Sequence, residues 1–183
     1  MLVCCSLSTG CTPPSISITA VFLDDGHPTA IFHPCGGAAV YSIALIEKLT
    51  SPAPASGTAS AISSAQASSS ASATGAEFGD LWGVADPAGN HPVAQVRLLE
   101  TPPGWVLQTT KPGYLLTDFI AGRTYDVWAD TTKPSAGRDT SLQFTLGDLR
   151  SLSDGQVWAA PKPFARPQAM SRKEFGQHSA ASC

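Results

Sequence analysis

Five short apolar runs follow one another in the second half of the chain: Val93 to Leu99, Trp105 to Thr110, Tyr114 to Ile120, Thr124 to Ala129 and Leu142 to Leu146. The gaps hold turn-forming stretches, among them Thr101-Pro102-Pro103-Gly104, Lys111-Pro112-Gly113, Ala121-Gly122-Arg123 and Lys133-Pro134-Ser135-Ala136-Gly137. Segments this short, broken this regularly by proline and glycine, predict an all-β fold: an antiparallel β-sandwich or a jelly-roll-like arrangement, not alternating strand and helix units. The first part of the chain reads the same way. Ile16, Ile18, Ala20 and Phe22 alternate with Ser15, Ser17, Thr19 and Val21, the period of a strand with one buried face. Asp24-Asp25-Gly26 reads as a turn, Thr29 to His33 as an extended piece, and Val40 to Leu49 as a strand carrying Tyr41, Ile43, Leu45 and Leu49 on one face. Gly147 to Ser153, with Asp148 early in it, predicts a single helical turn, and Pro161, Pro163 and Pro167 are expected to end regular structure.

Residues 50–77 interrupt this pattern with nine serines, nine alanines and one charged side chain, Glu77. Such a segment has almost no large apolar groups to offset an ordering cost of about 1–2 kcal/mol per residue, so it predicts a flexible low-complexity linker. The organisation expected is an N-terminal β segment (1–49), the Ser/Ala-rich linker (50–77), a β-sandwich domain (78–160) and a basic, proline-containing tail (161–183). Charge follows these divisions. Residues 1–96 hold Lys48 alone against six acids, whereas 161–183 carry Lys162, Arg166, Arg172 and Lys173 against Glu174 alone. Contact with nucleic acid is therefore expected only through that tail, which otherwise reads as solvated and disordered.

The chemistry-bearing residues do not add up to a reacting centre, and no enzyme is expected. No Gly-x-Ser-x-Gly elbow or phosphate-cradling glycine loop occurs. His27, His33 and Cys35 lie near Asp24 and Asp25, but Asp-Asp-Gly is a turn sequence and both histidines precede prolines. Cys4, Cys5, Cys11, Cys35 and Cys183 match no regular disulfide framework and lack the paired spacing of a zinc site, so reduced thiols and no metal or other cofactor are expected. No apolar run is long enough for a spanning helix, and Met1 to Cys11 has neither the charged start nor the apolar length of an export signal.

What remains is aromatic. Trp82, Trp105, Trp128 and Trp158 could be core or ligand-facing, and most tryptophans in a small sandwich are core. In the strand reading, Trp128 falls on the face opposite Tyr125 and Val127. Trp128, Asp126, Asp130 and Tyr125 are thus the candidate binding residues of a carbohydrate- or protein-binding module.

Two stretches carry a family likeness. Ala39-Val40-Tyr41-Ser42-Ile43-Ala44-Leu45-Ile46-Glu47, closing in Ser51-Pro52-Ala53-Pro54, resembles the last shell strand and proline-rich exit of small icosahedral RNA-virus coat proteins of the tombusvirus and nodavirus type. Lys111-Pro112-Gly113-Tyr114-Leu115-Leu116, followed by Ala121-Gly122-Arg123, is similar to a strand and turn in the outer part of such proteins. The resemblance covers part of the chain only, and the acidic amino-terminal half departs from the basic arm of those coats. It implies a self-assembling structural protein of a capsid or virion, located in the virion or cytoplasm, that forms homo-oligomers or joins other virion subunits through exposed strand faces.

Overall fold

The computed structural model describes residues 19–34, 38–48, 78–89, 94–108, 115–132, 141–162 and 165–182. The linker and all five cysteine positions lie outside them. Among the described residues, ten strands form two five-stranded antiparallel sheets. One sheet contains β1 (Thr19–Asp24), β2 (His27–Phe32), β5 (Gln95–Arg97), β9 (Gln156–Ala159) and β10 (Gln168–Ser171), in the order β10-β9-β1-β2-β5. The other contains β3 (Val40–Lys48), β4 (Phe78–Ala85), β6 (Val106–Leu107), β7 (Thr124–Thr131) and β8 (Leu142–Thr145), in the order β6-β4-β3-β7-β8. The sandwich expected from the apolar runs is present.

Local chemistry explains how it starts. Asp25 and Gly26 form a two-residue loop between the register partners Asp24 and His27, and both have positive φ, +49° and +82°. Two left-handed residues make a turn whose twist matches the flanking strands, and Asp-Gly is the pair that tolerates it best. Beyond this hairpin, neighbouring strands come from distant sequence. β3 pairs with β4 on one side and β7 on the other, and β2 pairs with β5.

The two sheets share one core. Val21, Ala30, Phe32 and Val96 from the first meet Ile43, Leu45, Trp82, Val84, Tyr125, Val127, Leu142 and Phe144 from the second. Residues 19–48 and 78–159 therefore fold as one unit, not as separate lobes. Lys48 and Phe78 are register partners, so the chain leaves and re-enters the sandwich at adjacent points on either side of the Ser/Ala-rich segment.

Tyr125 locks the entry to β7. It is fully buried, and its hydroxyl accepts a 2.6 Å hydrogen bond from the backbone N–H of Ile120, five residues upstream, across a turn that Gly122 makes at φ +80°. This is a tyrosine corner, in which a buried hydroxyl on a strand holds the turn that leads into it. It also explains why the described part of the Tyr114 to Ile120 run, residues 115–120, is not the strand its apolar content predicts. Within it, Leu115 makes an isolated parallel bridge to Leu81, and the Ile120 N–H bonds to a side chain where a strand would use a ladder partner. Likewise Trp105 to Thr110 contributes only the two-residue β6 to the described strands, and Trp105 is buried in the core.

Two short helices complete the fold. The helical turn expected at Gly147 to Ser153 is α1 (Leu146–Arg150), closed by a capping box in which Thr145 and Asp148 exchange hydrogen bonds. The larger departure is at the C-terminal end. Where the prolines predict an end to regular structure, β10 joins the edge of the first sheet and runs directly into α2 (Arg172–Ser182). The helix begins with a second capping box. Glu174 accepts from the Ser171 backbone N–H at 2.8 Å and returns its own N–H to the Ser171 hydroxyl at 3.1 Å. These bonds to the ionised form hold the Glu174 carboxyl below the usual glutamate range.

Phe175 fastens α2 to the outer face of the first sheet, where Ala20, Phe22, Val157, Ala159 and Met170 form a second apolar cluster. The first sheet is thus buried on both faces, and Arg172 lies 4.0 Å above the Phe22 ring. That residue of the expected basic tail is engaged in packing.

Candidate functional site

α2 packs on the outer face of the first sheet, and the sequence candidates lie on β7 of the other, β6-β4-β3-β7-β8. Alternation along β7 decides which face each one takes. Tyr125, Val127, Ala129 and Thr131 are buried, whereas Trp128 is half-buried and Asp130 exposed. Of the four sequence candidates, Trp128, Asp126 and Asp130 therefore lie on one face at positions i, i−2 and i+2. Tyr125 belongs to the opposite face, where it serves the corner and does not meet solvent.

Register sets the neighbours. Trp128 faces Ala44 on β3, which in turn faces Gly83 on β4. Gly83 is itself buried, and a side chain there would stand 3.8–3.9 Å from Gln108. Asp126 faces Ile46, which faces Leu81; Asp130 faces Ser42, which faces Ala85. The surface is thus an aromatic side chain set between an aliphatic row and a polar one.

The two carboxylates differ. Asp126 is buried, with one oxygen 3.2 Å from the Lys48 ammonium and the other enclosed without a hydrogen-bond partner among the described residues. Both oxygens of Asp126 are thus taken up inside the protein, one by enclosure and one by Lys48. Asp130 is solvated and ready to accept.

The other tryptophans are accounted for. Trp82 and Trp105 are core, and Trp158 donates its indole N–H to the Gln143 carbonyl at 2.9 Å, closing the open edge of β8. Trp128 is the tryptophan whose indole N–H makes no hydrogen bond among the described residues while its ring reaches solvent.

A feature invisible in the sequence adjoins this face. Between Val40 and Ser42 the register with β7 slips by one, because Val40 pairs with Thr131 and Ser42 with Asp130. Tyr41 is the extra residue of a β-bulge, a device that re-aims a side chain. It lines a cleft of about 370 Å³ together with Ala85, Asp86, Pro87, Gln108 and Thr132. Asp86 is held there by its backbone N–H to the Tyr41 carbonyl at 2.8 Å, and its carboxylate accepts the Ala88 N–H at 3.2 Å.

The histidines and the thiol set near Asp24 and Asp25 in the sequence do not come together as a reacting centre among the described residues. His27 and His33 stand at opposite ends of β2, roughly 20 Å apart at the usual strand rise. The His33 ring packs edge-on against Phe175 at 5.2 Å, and Cys35 lies outside the described residues. Among the described residues no group of three or more His, Cys, Asp or Glu is placed to hold a metal ion, and no helix is long and apolar enough to cross a membrane.

The fold is an all-β sandwich of two antiparallel sheets, and Trp128, Asp126 and Asp130 stand on the outer face of one of them. No protein-family model, curated protein or solved structure matches the chain.

Proposed function

We propose that the protein is a non-enzymatic binding module that holds a carbohydrate on the outer face of the β6-β4-β3-β7-β8 sheet. The observation that carries this reading is the placement of the half-buried Trp128 between Asp126 and Asp130 on one strand face, with its indole N–H unpaired among the described residues. An indole offers a flat apolar surface to the C–H face of a pyranose, and the exposed Asp130 carboxylate beside it accepts from a ring hydroxyl.

Trp128→Ala is expected to weaken glycan binding more than tenfold, the loss that follows truncation of an aromatic anchor worth about 1.4 kcal/mol or more, with an unchanged circular dichroism spectrum. A glycan-array profile identical to that of the parent protein would refute the reading. So would a parent protein that binds no glycan but retains a protein ligand through the same face.

A second reading has its own support. Val106 and Leu107 are 51% and 41% exposed on the edge strand β6, and an apolar edge is a place where another copy can add a strand. A self-assembling capsid or virion component, as the coat-protein resemblance implies, would use that edge. Light scattering at micromolar concentration separates the two: the binding module is a monomer, and the virion component forms an oligomer that Leu107→Lys disperses.

A further inference from the structure

We infer that the edge formed by β10 and the start of α2 is a binding surface for a single-stranded nucleic acid, which it holds by the phosphates on Arg172, Lys173, Arg166 and Lys162. This edge belongs to the other sheet from Trp128 and asks nothing of the carbohydrate reading.

Charge selects the class of partner. Residues 161–183 hold those four bases against Glu174 alone, while the preceding 160 residues carry seven bases against thirteen acids. A polyanion is therefore attracted to this end of the chain and repelled by the remainder. The four side chains are exposed, and none forms an ion pair among the described residues. Glu174 turns one carboxylate oxygen back to the Ser171 N–H and hydroxyl, each at 2.8 Å. Another acid close by is Asp154, exposed beside Gly155, whose carbonyl accepts the Arg172 N–H at 3.0 Å.

Arg172 makes this edge more than a run of charge. Its guanidinium lies 4.0 Å from the centroid of the Phe22 ring, which is buried beneath it. The contact fixes the guanidinium and leaves its N–H edge, which has no acceptor among the described residues, to solvent. A phosphate accepts two such N–H groups side by side, with little side-chain freedom left to lose.

Spacing favours a nucleic-acid strand. β10 runs extended between two pairs of cations. Lys162 and Arg166 precede it, with the Ala165 N–H bonded to the Lys162 carbonyl at 3.1 Å, and Arg172 and Lys173 follow it directly. The stretch from Arg166 to Arg172 spans up to about 20 Å at the usual strand rise. A nucleic-acid strand carries a negative charge on every backbone unit and reaches both pairs whatever its sequence, whereas a peptide needs acidic side chains at two separated places. Cations strung along one edge suit a flexible single strand better than the broad, stiff face of a duplex. Phe22 and Phe175 are buried and offer the bases no stacking, so binding is expected to be indifferent to sequence.

The test is fluorescence polarisation of a labelled 20-nucleotide oligouridylate with the full chain between about 20 and 200 mM KCl. Four phosphate contacts on a single strand give a slope of log affinity against log salt of about −3, from about −0.7 per contact. Arg172→Gln is expected to weaken binding about tenfold at the lowest salt. The double variant Arg166→Gln, Lys173→Gln is expected to halve the slope. Arg172→Lys keeps the charge but not the planar fork, and is expected to weaken binding about threefold with the slope unchanged. Arg166 and Lys173 are exposed, so their double variant keeps the test open should an Arg172 variant fail to fold. No binding by the parent at about 20 mM KCl would overturn the assignment, as would an affinity and slope unchanged in the double variant. Polyglutamate bound as tightly as the oligonucleotide would point to an acidic protein segment and overturn the nucleic-acid assignment. None of these outcomes bears on the glycan result with Trp128→Ala.

Discussion

Phe175→Ala is expected to lower unfolding stability by about 3–5 kcal/mol, the range for removing a buried aromatic side chain from a packed cluster. Phe175 is only 3% exposed although it stands on a helix near the end of the chain. It is the one large apolar side chain that α2 contributes to the cluster with Ala20, Phe22, Val157, Ala159 and Met170, and its ring meets His33 edge-on. Little else on the helix can close over the space its loss would leave. Ser179 is buried beside it and directs its hydroxyl back to the Phe175 carbonyl at 2.9 Å, and Gly176 has open space where a side chain would stand.

For a domain whose total stability is of the order of 5–15 kcal/mol, the loss is a large share. Chemical denaturation followed by circular dichroism measures it. Because α2 and Trp128 lie on opposite outer faces of the sandwich, glycan affinity should survive in whatever fraction remains folded. A loss below about 1 kcal/mol would mean that α2 does not dock on the sheet in solution.

The contrast between α2 and the strands shows where sequence patterning carries information. In the middle of β3 and β7, Ile43 and Leu45, and Tyr125 and Val127, recur at every second position because one face meets the other sheet, so period-two alternation was legible, and with it the opposite placement of Trp128 and Tyr125. Asp25-Gly26 and Asp148 were legible for the same reason, since turn and cap geometries demand particular residues.

Elements that use close approach in place of apolar bulk were not. α2 docks through one aromatic among alanine, glycine and serine, and three preceding prolines outweigh it; the readable signal was the spacing Ser171-Arg172-Lys173-Glu174, a capping box. β4 carries Gly79 and Gly83, which weaken its strand character, yet it sits between two partners in the sheet. The site divides along the same line. Trp128, Asp126 and Asp130 follow from one strand's alternation. The cleft draws Tyr41, Ala85, Asp86, Gln108 and Thr132 from separate parts of the chain, and only the register slip at Tyr41 brings them together. A bulge leaves no mark in composition or period.

Tyr125→Phe is expected to destabilise the fold by about 1–3 kcal/mol at neutral pH while leaving the ring contacts with Phe119 and Phe144 in place, because the Ile120 N–H then loses the oxygen it bonds to at 2.6 Å. The same hydroxyl gives the effect a pH signature. Burial, the largest influence, raises the Tyr125 pKa above its ordinary value of 10.0; the Ile120 hydrogen bond opposes this, Glu47 adds to it and Arg123 opposes it.

An acid whose pKa is higher in the folded state binds its proton more tightly there than in the unfolded chain. Its contribution is therefore complete below pH 10 and declines as the pH rises through the unfolded and then the folded value. The parent protein should lose stability above pH 10 more steeply than Tyr125→Phe, so that the gap between the two narrows on the alkaline side. Thermal unfolding of both proteins at matched ionic strength from pH 7 to pH 11 reads this directly. Parallel curves would show that the corner hydroxyl titrates alike in both states and that the turn at Gly122 holds the start of β7 without it.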